Sequence, residues 1–138
     1  MNRADLRRLA KERVMDAKAL FLAGRWAGAY YMAGYAVECA LKSCIIAHLM
    51  KTDLFPEKRF SERCWTHDLE QLVEQAGLQH QKETDMLADR QLAANWGIVE
   101  EWDESSRYQR NPKKEARKLY NAITDQQHGV LAWIRSHW

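Results

Sequence analysis

The sequence is poor in the residues that build closely spaced turns. It has 2 Pro and 6 Gly in 138 residues, which leaves little material for the many turns of an all-β sandwich or barrel. Cysteine is also scarce. Three cysteines, an odd number at low density, imply no disulfide framework and favour the cytosol as the compartment. A net charge of +2 is too small to indicate nucleic-acid binding by itself, so such a role requires local clustering of charge.

Long hydrophobic runs are missing as well. The longest stretch without a charged residue covers residues 26–37, well short of the ~20 residues that a membrane span needs. Charges at Arg3, Asp5, Arg7 and Arg8 stand where a signal peptide has its apolar run. We therefore expect a soluble, cytoplasmic protein that does not associate with a membrane.

Helical periodicity is the dominant pattern that is present. Apolar residues recur at intervals of three and four over residues 3–23, which predicts an amphipathic helix that ends at Gly24. Residues 26–50 carry Glu38 and Lys42 as their only charged residues, and a helix that is apolar on nearly every side is a buried, central one. The short connection between the two segments predicts an antiparallel pair.

Weaker signals divide the remaining chain, and they include an Asn-Pro pair that is typical of a helix start. The predicted segments are a loop over residues 51–65, a helix from an N-cap at Thr66 to Gly77, a helix over His80–Trp96, an irregular stretch over Glu100–Arg110, and a last helix from Asn111-Pro112 to about Ile134. The sequence therefore predicts an all-α protein: one domain over residues 1–138, an up-and-down bundle of four to five helices with a long central apolar helix.

Two parts of the chain carry a family resemblance. Residues 13–49, RVMDAKALFLAGRWAGAYYMAGYAVECALKSCIIAHL, combine a Gly-Arg turn, a helix rich in Ala, Gly and Tyr, and the run Glu-Cys-Ala-Leu-Lys. A more diffuse match covers Thr66-His67-Asp68-Leu69 and Trp102 followed by Arg107-Tyr108. These stretches resemble the HEPN domain family. The resemblance implies a helical bundle, commonly a homodimer, in a family associated with nucleotides, RNA and nucleotidyltransferase partners, with toxin–antitoxin or defence systems as a setting.

Many HEPN proteins are metal-independent RNases that use an Arg, four to six intervening residues and a His. None of the five His of this chain has an Arg five to seven positions upstream. Arg107 stands where the resemblance places the family's Arg, but residues 111–114 contain no His. Without that imidazole nothing obvious activates a ribose 2′-hydroxyl. We therefore expect the family's RNase chemistry to be missing.

Glu38 and Lys42 are four residues apart in the apolar segment, so they lie on one side of the predicted helix. Charges at such a position are costly unless they are paired or solvated. Two interpretations stay open: an internal or interface ion pair that sets the helix register, or a polar cleft lined by both side chains.

Residues 107–118 form a basic segment that is opposed only by Glu115. Its cations are Arg107, Arg110, Lys113, Lys114, Arg117 and Lys118. Cations at the start of a helix oppose the macrodipole, and a bound phosphate would explain them. The alternative is a solvated basic face balanced by the acidic residues just upstream. Trp102 and Tyr108 flank this segment and could stack on bases, although covering the bundle is the more frequent use of such rings.

The sequence has no pattern of metal ligands, no glycine-rich phosphate loop and no nucleophile elbow, and we expect no metal and no cofactor. The leading hypothesis is a HEPN-type module that binds a nucleotide or RNA, forms a homodimer and works beside a nucleotidyltransferase or in a defence system. The alternatives are a divergent RNase that uses Arg107 and a purely structural dimerisation domain.

Overall fold

The computed structural model describes residues 1–103, 105 and 112–138. Within these ranges every regular element is an α-helix. The helices are α1 (Arg3–Leu22), α2 (Trp26–Thr52), α3 (Lys58–Cys64), α4 (Leu69–Gln75), α5 (Gln79–Ala88), α6 (Arg90–Glu100), α7 (Pro112–Thr124) and α8 (Val130–Arg135). The predicted all-α class and the long apolar helix are confirmed. The described residues form eight helices, so the predicted bundle of four to five helices is not confirmed.

The 27-residue helix α2 is the centre of the structure. It packs against α1, α4, α7 and α8, and about half of its residues are buried. Its small residues, among them Ala29, Ala33 and Ala36, are almost fully buried, which lets neighbouring helices approach its backbone closely. The predicted antiparallel pair is formed with α1, because Gly24 at φ +76° turns the chain between them.

Two helices predicted from the sequence are each interrupted by an aspartate. Between α5 and α6, the side chain of Asp89 accepts hydrogen bonds from the backbone N–H groups of Gln91 and Leu92, so it is an N-cap that starts a new helix. After α7, Asp125 accepts from the N–H groups of Gln127 and His128 and forms a turn. Both aspartates satisfy N–H groups outside a continuous helix, which is why the helices predicted over these stretches are broken.

The chain between α2 and α4 also differs from the prediction. Residues 51–65 were expected to form a loop, yet α2 continues to Thr52 and α3 occupies the second half of this stretch. Phe60 of α3 packs against the core, and this tertiary contact stabilises a helix that has no clear period in the sequence. The N-cap of α4 is Asp68, and Thr66 instead accepts a hydrogen bond from the Asp68 N–H.

Trp102 covers α2 at a position where only glycine fits. A Cβ built on Gly34 would lie 2.1 Å from Cε2 of Trp102, far inside van der Waals contact. The Trp102 side chain is nearly fully buried and its ring lies 6.1 Å from that of Tyr31. Gly34 therefore allows the chain after α6 to lie directly against α2.

We predict that Gly34→Ala lowers the free energy of unfolding by about 1–3 kcal/mol, because the new methyl group displaces the Trp102 ring. Gly97 in α6 is the matched control, since a Cβ there meets no atom within 4 Å. Gly97→Ala is expected to raise the free energy by roughly 0.5–1 kcal/mol. Urea unfolding measures both variants, and a Gly34→Ala protein as stable as wild type would contradict this account of the contact.

Candidate functional site

Glu38 is a carboxylate buried inside the central helix. Its side chain is 1% exposed. Its Oε1 accepts a hydrogen bond of 2.8 Å from Nζ of Lys42, one turn further along α2. Lys42 is 25% exposed, so its stem covers Glu38 while its ammonium group reaches toward solvent. Glu38 and Lys42, which are four residues apart in the sequence, therefore form an ion pair at the surface of the bundle, with the Glu38 carboxylate on the inside.

The second oxygen of Glu38 holds a histidine from another part of the chain. Nδ1 of His67 lies 2.8 Å from Oε2 of Glu38. His67 lies directly before Asp68, the N-cap of α4, so the start of α4 is anchored to the middle of α2. The His67 side chain is 53% exposed. A buried carboxylate thus orients a half-exposed imidazole.

This arrangement is suited to proton transfer. A carboxylate at Nδ1 favours the tautomer that carries its proton there, which leaves the lone pair of a neutral ring on Nε2. Such a ring can take a proton from a substrate hydroxyl or, once charged, give one to a leaving oxygen. Sequence reasoning missed His67, because the signal that finds it is a contact between residues 29 positions apart.

The buried thiol of Cys39 and the partly buried phenol of Tyr35, both beside Glu38, are not suited to nucleophilic chemistry. Burial and the neighbouring Glu38 raise the pKa of Cys39, so its thiol stays protonated and unreactive near neutral pH. The proximity of Cys39, burial and Glu38 likewise raise the pKa of Tyr35.

A cavity of about 600 Å³ opens beside His67, and its walls are acidic and aromatic. The charged and aromatic residues that line it are Trp65, His67, Asp68, Glu70, Glu100, Glu101, Trp102 and Asp103. Glu70 and Glu100 both accept hydrogen bonds from the buried Lys82, whose single positive charge offsets one of their two negative charges. Burial alone lowers the pKa of Lys82, but these hydrogen bonds outweigh it and the net pKa is raised. Among the described residues, Asp68 and Glu101 add further negative charge to the walls of the cavity.

A second cavity, an apolar groove of about 430 Å³, lies on the other side of Trp65. It runs over α2 between α1 and α3, and we call it the α2 groove. Its apolar lining includes Leu6, Tyr35, Ile45, Ile46, Leu49 and Phe60, and Glu38 and Lys42 are its charged residues. Next to it in the chain, Phe55 is 97% exposed and Trp65 86% exposed, with Met50 and Leu54 also largely exposed. The helix predicted to be buried all round therefore keeps one apolar face open.

The described cations of the basic segment lie on the first turns of α7. Lys113, Lys114, Arg117 and Lys118 are all exposed. The Lys113 ammonium lies 5.2 Å from the ring centre of Trp26, and the Arg117 guanidinium lies 5.7 Å from that of Phe21. These two rings contact each other edge to face at 5.0 Å. One aromatic pair thus supports two exposed cations.

Three of the candidate residues, Arg107, Tyr108 and Arg110, lie outside the described residues. Trp102 is 4% exposed, and a ring buried to this extent offers little surface for a base to stack on. The structure brings Glu38 and Lys42 together in the middle of α2 and places the α7 cation Lys113 at the start of that helix, over Trp26.

Within residues 1–103, 105 and 112–138, no group of three or more His, Cys, Asp or Glu side chains is placed to hold a metal ion. By length and composition α2 could cross a membrane, but 61% of its most apolar window is buried inside the fold, as in the core helix of a soluble protein.

Comparison of the chain with family models, curated proteins and solved structures returns no match.

Proposed function

We propose that this protein is a HEPN-type helical module of the cytoplasm that binds RNA or a nucleotide through its phosphates at the start of α7. The resemblance of residues 13–49 to HEPN domains supports the family. The same resemblance supports a nucleotidyltransferase partner and a setting in toxin–antitoxin or defence systems.

The pair of supported cations on α7 carries this proposal. Lys113 projects from the first turn of α7, where the macrodipole already favours an anion, and Arg117 lies one turn further along the same helix. Their charges are held over the Phe21–Trp26 pair, so little side-chain freedom is lost when a phosphate binds. The guanidinium group can hold two phosphate oxygens at once, while the ammonium group acts as a point charge.

We expect Lys113→Gln/Arg117→Gln to weaken binding of single-stranded RNA about tenfold or more at low salt. The slope of log affinity against log salt should fall by roughly 1.4, since each phosphate contact contributes about 0.7 for a single strand. Fluorescence anisotropy with labelled RNA, competed by ATP, measures both quantities.

The matched control is Lys58→Gln/Arg59→Gln, which removes two exposed cations from α3 and should leave affinity unchanged. If the wild-type protein binds neither RNA nor ATP at a low salt concentration of about 50 mM, the proposal that it is a binding module is wrong.

A second candidate function, metal-independent RNA cleavage, is favoured by the Glu38–His67 contact. In this proposal His67 replaces the histidine that the family motif lacks. The imidazole takes the proton of a ribose 2′-hydroxyl, whose oxygen attacks the adjacent phosphorus. The products are a 2′,3′-cyclic phosphate and a 5′-hydroxyl end, whose oxygen receives its proton from the imidazolium or from water. Arg107 would hold the scissile phosphate.

Electrostatics ranks this candidate second. The cavity beside His67 has Asp68 and Glu101 in its walls, and these two carboxylates repel the phosphate that must reach the imidazole. Lys42 offsets part of that repulsion at Glu38. The α7 cations face no comparable obstacle in the described structure, so binding there is the better supported function.

If His67 acts in cleavage, His67→Ala should lower the rate on labelled RNA in the presence of EDTA by about 10²-fold or more, the usual contribution of a positioned acid or base. Glu38→Gln should impair it too, through the lost orientation of the ring. His80→Ala is the control, since His80 is an exposed histidine on α5 and the contact with Glu38 is made by His67. Equal rates for wild type, His67→Ala and His80→Ala would rule out the cleavage proposal.

We also propose a homodimer formed over the α2 groove. An exposed Phe or Trp side chain buries roughly 150–250 Å² on contact, so Phe55 and Trp65 together with the groove approach the ~800 Å² per partner of a standard interface. An apolar patch of this extent is unusual on a monomer.

Light scattering at micromolar concentration should therefore give twice the chain mass, and Phe55→Glu should halve it because the charge cannot be buried in the contact. Phe55 is 97% exposed, so the substitution leaves the monomer intact. Leu87→Glu changes an equally exposed apolar residue of α5 and should keep the dimer mass. A monomer mass for the wild type would exclude the dimer.

A further inference from the structure

The charges of α1 are separated into two faces. Its three carboxylates, Asp5, Glu12 and Asp16, are all paired with Arg8 or Arg13 at distances of 3.0–3.8 Å. All the carboxylates of α1 are therefore engaged in ion pairs on one face of the helix. The remaining cations of α1 are left without a carboxylate from their own helix.

Those remaining cations form a line. Arg3, Arg7, Lys11 and Lys18 are separated by four, four and seven residues, intervals that keep side chains on one face of a helix. From first to last they span 15 residues, which is about 22 Å at the α-helical rise of ~1.5 Å. We call this line the α1 strip.

One end of the strip surrounds an aromatic ring. The Trp138 ring has the charged groups of Arg7, Lys11 and Arg135 at 5.4, 5.8 and 5.5 Å from its centre, and Arg3 donates a hydrogen bond to the Trp138 carbonyl oxygen. Three cations around one ring repel each other. Among the described residues, no carboxylate forms an ion pair with Arg7, Lys11 or Arg135. Bound phosphates would offset the repulsion among these three cations.

The other end of the strip meets the α7 cations. Lys18 and Arg117 share a groove of about 290 Å³ with Phe21 and Tyr120 between them. Arg117 is the residue that lies over Phe21. The strip on α1 and the binding residues on α7 are therefore parts of one surface, with an aromatic ring and cations at each end.

From this continuity we infer that the ligand of the protein is a single-stranded polynucleotide that runs along α1, rather than a mononucleotide. The inference rests on the proposed binding at α7 and extends it to Arg3, Arg7, Lys11, Lys18 and Arg135. A basic groove with aromatic rings along it is the usual way of holding a single strand without sequence preference. At about 3.4 Å per stacked nucleotide, the strip accommodates roughly six phosphates.

The test compares labelled oligouridylates of two lengths, chosen so that one cannot span the ~22 Å strip and the other can: about 4 and about 12 nucleotides at ~3.4 Å each. Affinity should rise at least tenfold from the short to the long strand. Arg7→Gln/Lys11→Gln should bring the long strand down to the affinity of the short one and lower its salt slope by roughly 1.4. The control Arg8→Gln/Lys58→Gln removes two cations that lie off the strip and pair with carboxylates, and it should bind both strands like wild type.

The outcomes separate the two proposals. If Lys113→Gln/Arg117→Gln weakens RNA binding but Arg7→Gln/Lys11→Gln does not, the α1 strip is wrong and binding at α7 stands. If wild type binds neither strand, both are wrong. If polyglutamate competes as well as the long oligouridylate at equal charge, the strip is a docking surface for acidic proteins and the polynucleotide inference is overturned.

Discussion

The long helix α2 presents apolar or small side chains on nearly every side, and so it has to be covered along its length. This requirement places α1, α4, α7 and α8 around it. It also explains the close approach of Trp102 at Gly34, where the absence of a side chain lets an indole ring lie on the helix. In the part of the chain that the structure describes, the side toward α3 stays partly open, as the α2 groove. The dimer proposal follows from that same requirement, since an apolar surface that the chain does not cover favours contact with another surface.

A second constraint arises because α2 carries a buried carboxylate. A charge at this position is stable only with close partners, and Glu38 has two: Lys42 from its own helix and His67 from the segment before α4. The contact with His67 ties the entry of α4 to the centre of the bundle. The same contact fixes the direction of an imidazole that is half exposed. Structural stability and a capacity for proton transfer therefore depend on one carboxylate, which is why the function of this site has to be decided by rate measurements and not by stability alone.

The parts of the fold that were predicted from the sequence are those with local causes. The apolar run of α2, its turn at Gly24 and the i,i+4 spacing of Glu38 and Lys42 all depend on neighbours within a few residues. The break at Asp89 was also local, but its capping signal was outweighed by the apolar period that continues across it.

Non-local contacts account for what the sequence did not reveal. His67 joins Glu38 across 29 residues, and α3 exists because Phe60 reaches the core. The α1 strip shows an intermediate case. The four-residue spacing of Arg3, Arg7 and Lys11 is visible in the sequence. The sequence does not show that the fold places the Trp138 ring beside Arg7 and Lys11.

The distribution of charge over the described residues bears on which of the two proposed functions, binding or cleavage, is better supported. A net charge of +2 conceals two opposite surfaces: cations along α1 and the start of α7, and carboxylates around the cavity beside His67. A polyanion is attracted to the first surface and repelled by the second. On the proposed binding mode, an RNA strand that extended from the α1 strip into this cavity would meet the carboxylates of Asp68 and Glu101. The charges of the described residues therefore support the proposed RNA binding over the proposed cleavage, and this ordering rests on Asp68 and Glu101 beside His67 as much as on the cations of α7.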